Sequence, residues 1–284
     1  MTDPRPRPKL GILAGSGALP HRLVEAARRD GRDVFVLAIA GAAEPASFTD
    51  VQVELVDIAA VGRAIDLLKA HACAELVMAG PVRRPDFARL RPDWRGIKLL
   101  PRVAAAARKG DNALFNVLIA VFEEEGFRVV GADDVLGNLL VGPGPLGAIR
   151  PDDAARADVA RAMQVAKVMG GLDVGQGAVA VDGAILGVEV VDGTDAMLAR
   201  VALLRVQHGP AGPAGALVKV AKPGQERRVD LPTIGVQTVA GAVAARLAGI
   251  AVEAGQAIIM DRTATAKAAD EAGIFIIGIV TDDA

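Results

Sequence analysis

Residues 217–235, LVKVAKPGQERRVDLPTIG, gather Lys219, Lys222, Gln225, Glu226, Arg227, Arg228 and Asp230 around a Pro223-Gly224 turn. The alternation over 217–220 predicts a short strand, and the Pro-Gly dipeptide forces the chain to turn after it. Two lysines, two arginines and two carboxylates add nothing to an apolar core, so two readings are open. One is a solvated hairpin tip, the ordinary fate of a charged turn. The other is a phosphate site, in which Lys219, Lys222, Arg227 and Arg228 hold an anion while Glu226 and Asp230 hold a metal ion or a water.

Further candidates stand at the ends of predicted strands. A strand over 9–14 runs into Gly15-Ser16-Gly17, with a helix beginning near Pro20. This is the layout of a phosphate-binding turn, where bare backbone N–H groups meet an anion at a helix N-terminus. Pro20 stands where the dinucleotide fingerprint needs its third glycine, so the turn fits a nucleotide or pyrophosphate better than NAD. A merely tight strand-to-helix turn is the structural alternative. Gly80 ends another strand and opens a basic, proline-stiffened loop containing Arg83 and Arg84, which either clamps an anion or decorates the surface. Asp111 is placed as a helix N-cap or a catalytic acid, and Asp133-Asp134 as a metal or hydroxyl binder. The three histidines, His21, His71 and His208, are too scattered for a dinuclear imidazole centre, which favours a carboxylate-held ion.

The elements that must position these groups fall into two sets. Strands over 9–14, 34–40, 75–79 and 127–131 alternate with helices over 20–29, 57–72, 102–109 and 112–125. That order predicts an α/β fold with a Rossmann-like parallel sheet, which binds ligands beyond the carboxyl ends of its strands. A Gly/Pro/Leu-rich stretch marks the junction, giving a nucleotide-binding-type domain over 1–135, a linker over 136–150 and a catalytic α+β domain over 151–284. The second domain should hold a helix over 152–169 and a hairpin about Asp182-Gly183 with Glu189 in its second strand. Paired strands over 250–253 and 257–260 and a final strand over 274–280 follow.

Bulk properties narrow the class. A net charge of -2 over 284 residues leaves no basic excess for nucleic acid. Aromatics at 3% with no Tyr provide no stacking platform for single strands. Cys73 is the only cysteine, which excludes an internal disulfide and a cysteine-rich zinc site. No run approaches the ~18 apolar residues of a spanning helix. The Pro/Arg-rich start, residues 1–9, is expected to be a disordered leader rather than a signal peptide, and the protein is expected in the cytoplasm.

Several segments, in order and nearly end to end, resemble one family. They are LGILAGSGALP at 10–20, GPVRRPDF and LRPDWRG within 80–96, GDNALF at 110–115 and EEGFRVVGADD at 124–134. DVGQGAVAVDG at 173–183, VEVVDGTDAML at 188–198, the charged stretch at 217–235 and IAVEAGQAIIMDR at 250–262 complete the set. The chain is similar to the UDP-2,3-diacylglucosamine pyrophosphatases of lipid A biosynthesis that are unrelated to metallophosphoesterases. The resemblance implies a hydrolase dependent on Mg2+ or Mn2+, releasing UMP and the 1-phosphate of the diacylated sugar from a ligand cleft between the two domains. It implies catalytic roles for Glu226, Lys219, Lys222, Arg228 and Asp230, with Glu226 and Asp230 at the metal. Substrate contacts are expected from Gly15, Ser16, Gly17, Gly80, Arg83 and Asp111 in the first half. In the second half they are expected from Gln176, Thr194, Asp195, Gln225 and Thr233. Glu226 stands where the family pattern has Asp, and Asp133 where it has His. No nucleic acid partner, at most peripheral contact with the inner membrane surface, and a homodimer through the apolar second half are expected. The alternative is a non-catalytic nucleotide-sugar binding or regulatory protein.

Overall fold

The computed structural model describes residues 7–82, 92–108, 110–137, 139–207, 210–224, 226–229 and 231–281, with the backbone alone for Asp111. Expectations for residues 1–6, Arg83, Arg84, His208, Gln225 and Asp230, and for the Asp111 side chain, lie outside the described residues. The chain divides into two compact units, Met1–Gly137 with Glu226–Val229, and Asn138–Gln225 with Asp230–Ala284.

The first unit runs β1 (Leu10–Ala14), α1 (Leu19–Arg29), β2 (Val34–Ile39), β3 (Gln52–Val56), α2 (Val61–Ala70) and β4 (Glu75–Ala79). It continues with α3 (Trp94–Ala107), α4 (Asp111–Glu124), β5 (Arg128–Val129) and α5 (Ala132–Leu136). The strands form one parallel sheet in the order β3-β2-β1-β4-β5. Continuous apolar runs such as Leu10–Ala14 and Val34–Ile39 suit strands covered on both faces. Phe35, Leu37, Ile65, Leu68, Leu76, Phe122 and Phe127 fill one side of the sheet.

Three local expectations are corrected. Strand β3 was not foreseen: it is an edge strand in which only Val56 is buried, and it has no continuous apolar run. Helix α2 begins at Val61 rather than 57, since Asp57 accepts the Ala59 N–H (2.8 Å) in a turn that leaves Ile58 exposed. Gly110, at φ 118°, is the N-cap of α4, and Asp111 is its first helical residue; a backbone in that region favours glycine over aspartate.

The second unit runs β6 (Gly144–Pro145), α6 (Asp153–Gly171), β7 (Gly177–Val181), β8 (Ala184–Val188), α7 (Gly193–Gln207) and β9 (Ala216–Lys219). Then come β10 (Thr233–Ile234), α8 (Val236–Ala244), β11 (Gly249–Glu253), β12 (Ile258–Ile259), α9 (Arg262–Ala272) and β13 (Phe275–Ile279). Its main sheet has the order β6-β13-β11-β9-β7-β8, with β9, β11 and β13 parallel and β7 antiparallel to β9. The alternation of β9 serves two cores. Ala216 and Val218 pack with Ala155, Val159, Ala162 and Ala166 of α6. Leu217 points oppositely, among Met197, Leu198 and Val201 of α7 and Val239 of α8. Lys219 has the parity of Leu217.

The β7–β8 hairpin turns through Asp182 (φ 49°) and Gly183 (φ 77°), as Asp-Gly favours. The buried Asp158 carboxylate closes it, accepting both turn N–H groups at 3.0 and 2.7 Å. Strand β9 is interior to the sheet rather than the arm of a charged hairpin. Strands β11 and β12 do not pair with each other; β12 pairs with β10 and β11 lies between β9 and β13. Glu189 falls just after β8, not within it. The stretch 136–150 includes an edge strand, with β6 pairing β13 and Val141 buried in the core.

Candidate active site

The glycine turns of the first unit meet where the strand order reverses, between β1 and β4. Gly15 follows β1 and Gly80 follows β4, so both lie at the carboxyl edge that such sheets use for ligands. The Gly15 N–H donates to the Ala79 carbonyl (2.8 Å), and the Ser16 N–H and hydroxyl both donate to the Pro81 carbonyl (2.9 Å each). Those donors are spent inside the unit. A Cβ on Gly15 would collide with the Gly80 carbonyl, and one on Gly80 with the Ser16 carbonyl, so the two backbones approach as only glycines allow. Gly17, at φ 86°, faces open space. The contrast gives a prediction. Gly17→Ala costs about 1–2 kcal/mol for its left-handed backbone, whereas Gly80→Ala (φ 85°) adds a backbone clash and costs distinctly more. Urea unfolding of the two variants checks it, and equal midpoints would contradict the packing argument.

In the second unit Lys219, at the end of β9, is 4% exposed. Its Nζ donates to Thr194 Oγ1 (2.7 Å), lies 3.4 Å from the Thr233 carbonyl and 3.8 Å from Glu189 Oε1. Thr194 sits in the first turn of α7 and donates its own hydroxyl to Glu189 Oε1 (2.7 Å). The structure thus brings together Lys219, Thr194 and Thr233, and adds Glu189. Gln176 joins the same region through its backbone, its carbonyl accepting the Val220 N–H (2.9 Å). Asp195 lines a separate groove of about 150 Å³ with Leu198, Ala199, Gln237, Gly241 and Ala244. Lys222 is paired with Asp173 (2.7 Å).

Glu226 and Arg228 belong to the first unit. The Arg228 guanidinium grips the Glu226 carboxylate on both oxygens, at 2.9 and 2.8 Å, and also reaches Glu123 Oε1 at 2.6 Å. Asn112 Oδ1 accepts the Glu226 N–H (2.9 Å) and so fixes the start of the turn. The hydrogen bonds from Arg228 hold the Glu226 carboxyl below its usual range, and Glu226 in turn raises the guanidinium. Lys219, Lys222 and Arg228 therefore each carry a carboxylate partner, and they are divided between the units rather than gathered in one.

Among the described residues no three His, Cys, Asp or Glu side chains converge as metal ligands. Both Glu226 oxygens are held by the Arg228 guanidinium, and Asp230, the other expected ligand, lies outside the described residues. Burial pushes the Cys73 thiol up to about 11, which makes it inert at neutral pH. The residues that the sequence did not single out for the site are Glu189, Asp173, Asn112 and Glu123. A carboxylate inside the apolar run VEVV was a visible signal for the first; the others become significant only through contacts distant in sequence.

Two family models match in tandem, the LpxI N-terminal domain over residues 9–139 and the LpxI C-terminal domain over 142–277. A curated relative, UDP-2,3-diacylglucosamine pyrophosphatase LpxI of Caulobacter vibrioides, is 44% identical over 273 residues, covering 95% of this chain and 97% of its own. Among solved structures, UDP-N-acetylglucosamine 4-epimerase from Bacillus cereus aligns at 20% identity with a TM-score of 0.21. That alignment spans 28% of this chain and 24% of the epimerase, too slight a likeness to bear on either fold or activity. With both domain models matched in order and a relative aligned nearly from end to end, the chain belongs to the LpxI family.

Proposed function

We propose that this chain hydrolyses the diphosphate of UDP-2,3-diacylglucosamine to UMP and 2,3-diacylglucosamine 1-phosphate, a step of lipid A biosynthesis. The observation that carries the proposal is the 44% identity to the pyrophosphatase along almost the whole of both chains. The site chemistry supports it. In the reaction a water oxygen bonds to one phosphorus, the bond from that phosphorus to the bridging oxygen breaks, and the water gives up a proton. Negative charge on the phosphoryl oxygens is met by fixed cations, for which Lys219, Lys222 and Arg228 are the candidates. Glu226, held by Arg228, orients that guanidinium; to serve a water or a cation directly, it must release one of its two ion-pair contacts.

The proposal places the protein in the cytoplasm, meeting a lipid substrate at the inner membrane surface. No helix among the described residues is long and apolar enough to cross a membrane. Incubation with UDP-2,3-diacylglucosamine, in parallel with Mg2+, Mn2+ or EDTA, tests the reaction and its metal requirement by UMP release. Release with either ion and none with EDTA is expected. Saturable binding of the lipid nucleotide with no UMP under any ion would overturn the proposal in favour of a binding or regulatory protein.

A further inference from the structure

We infer that Glu189 is a positioning residue for the proposed hydrolysis, acting through Thr194 on Lys219; the inference rests on the proposed function. Glu189 is 7% exposed and lies on the loop between β8 and α7. An ionised carboxylate only accepts hydrogen bonds, so the Thr194 hydroxyl proton must point at Glu189 Oε1. The oxygen lone pair of Thr194 is then left to receive Lys219 Nζ. The three groups form one polarised chain, from ammonium to hydroxyl to carboxylate.

Lys219 makes one short hydrogen bond in this chain, while its approaches to the Thr233 carbonyl (3.4 Å) and to Glu189 (3.8 Å) are long. The ammonium is therefore held by one short contact and two long ones, and a phosphoryl oxygen would take the place of a long one. Glu189 itself is only half satisfied. Among the described residues its Oε2 is buried with no hydrogen-bond partner. A carboxylate buried at that disadvantage calls for a reason beyond packing.

The surrounding sequence is moulded to admit this side chain. The Glu189 N–H donates to the Gly177 carbonyl (2.8 Å). A Cβ on Gly177 would stand 2.6 Å from Oε2, and one on Gly175 would collide with the Glu189 carbonyl. The Gly175-Gln176-Gly177 segment thus makes room for a buried acid.

The test is steady-state hydrolysis of UDP-2,3-diacylglucosamine by the full chain and its variants, with thermal unfolding of each. Glu189→Gln keeps an acceptor for Thr194 but removes the charge. It is expected to lower kcat about tenfold to a hundredfold while KM stays within about twofold, because the loss falls on charge stabilised in the transition state. Thr194→Val should match that loss and Thr194→Ser should restore most of the activity. The double variant Glu189→Gln with Thr194→Val should be no slower than either alone, as members of one unit are not additive. Should Glu189→Gln fail to fold, the Thr194 pair decides. Wild-type kcat in Glu189→Gln or in Thr194→Val, with only a lowered Tm, would make the group a structural ion pair and overturn the inference. A wild-type chain that releases no UMP would instead overturn the proposed function beneath it.

Discussion

Glu226→Ala is expected to lower UMP release by at least about a hundredfold, the scale of losing one preorganised electrostatic group, while the fold persists. The substitution removes both oxygens from the Arg228 guanidinium and leaves that cation with Glu123 as its remaining carboxylate partner among the described residues. Arg228 would then follow Glu123 instead of keeping its present direction. The stability cost should be small, because the Arg228 side chain is about one-third exposed, and such pairs contribute only about 1 kcal/mol or less. Lipid nucleotide binding, measured by calorimetry, should survive. Glu226→Asp should hold kcat within about tenfold, since the charge is kept and moved by one methylene. Full activity in Glu226→Ala would remove Glu226 from the catalytic machinery.

The backbone of the first unit was legible because local chemistry and fold agreed there. Continuous apolar runs gave β1, β2 and β4. Strand β3 escaped because only Val56 of its five residues is buried and it lacks the continuous apolar run that marks β1 and β2. In the second unit each short strand was recognisable, but pairing was not. The run over 250–253 gains its neighbours β9 and β13 from segments far away in sequence, and nothing within the run itself encodes that choice.

The same limit divides the candidate site. Density of charge singled out Lys219, Lys222, Glu226 and Arg228, and adjacent glycines singled out the turns after β1 and β4. The sequence could not tell that the charged stretch is shared between two compact units, or that each of these cations has its own acid. Those acids, Glu189, Asp173 and Glu123, lie 30, 49 and 105 positions from the cations they meet. Only the space a Cβ would need shows that Gly175 and Gly177 make room for Glu189.

Lys219→Ala is expected to destabilise the second unit by about 3–5 kcal/mol, the cost of stranding a buried charge when its partner is removed. Both side chains of the pair are at least nine-tenths buried, so water cannot replace the lost ammonium without opening the loop after β8. The penalty should belong to the orphaned acid rather than to lost packing, and a double substitution separates the two. Lys219→Met with Glu189→Leu removes both charges at similar volume and should recover most of the stability. It should release no more UMP than Lys219→Ala. Urea unfolding, with amide exchange in β7 and β9 to report on this unit, supplies the measurement. If Lys219→Ala costs less than about 1 kcal/mol, the range of an exposed pair, the ammonium is not buried against Glu189 in solution and the chain through Thr194 does not form. If the double variant stays as unstable as the single one, packing of the lysine stem holds the sheet instead. Recovered stability without activity would show that the ion pair is kept for its chemistry, at the expense of the fold that carries it.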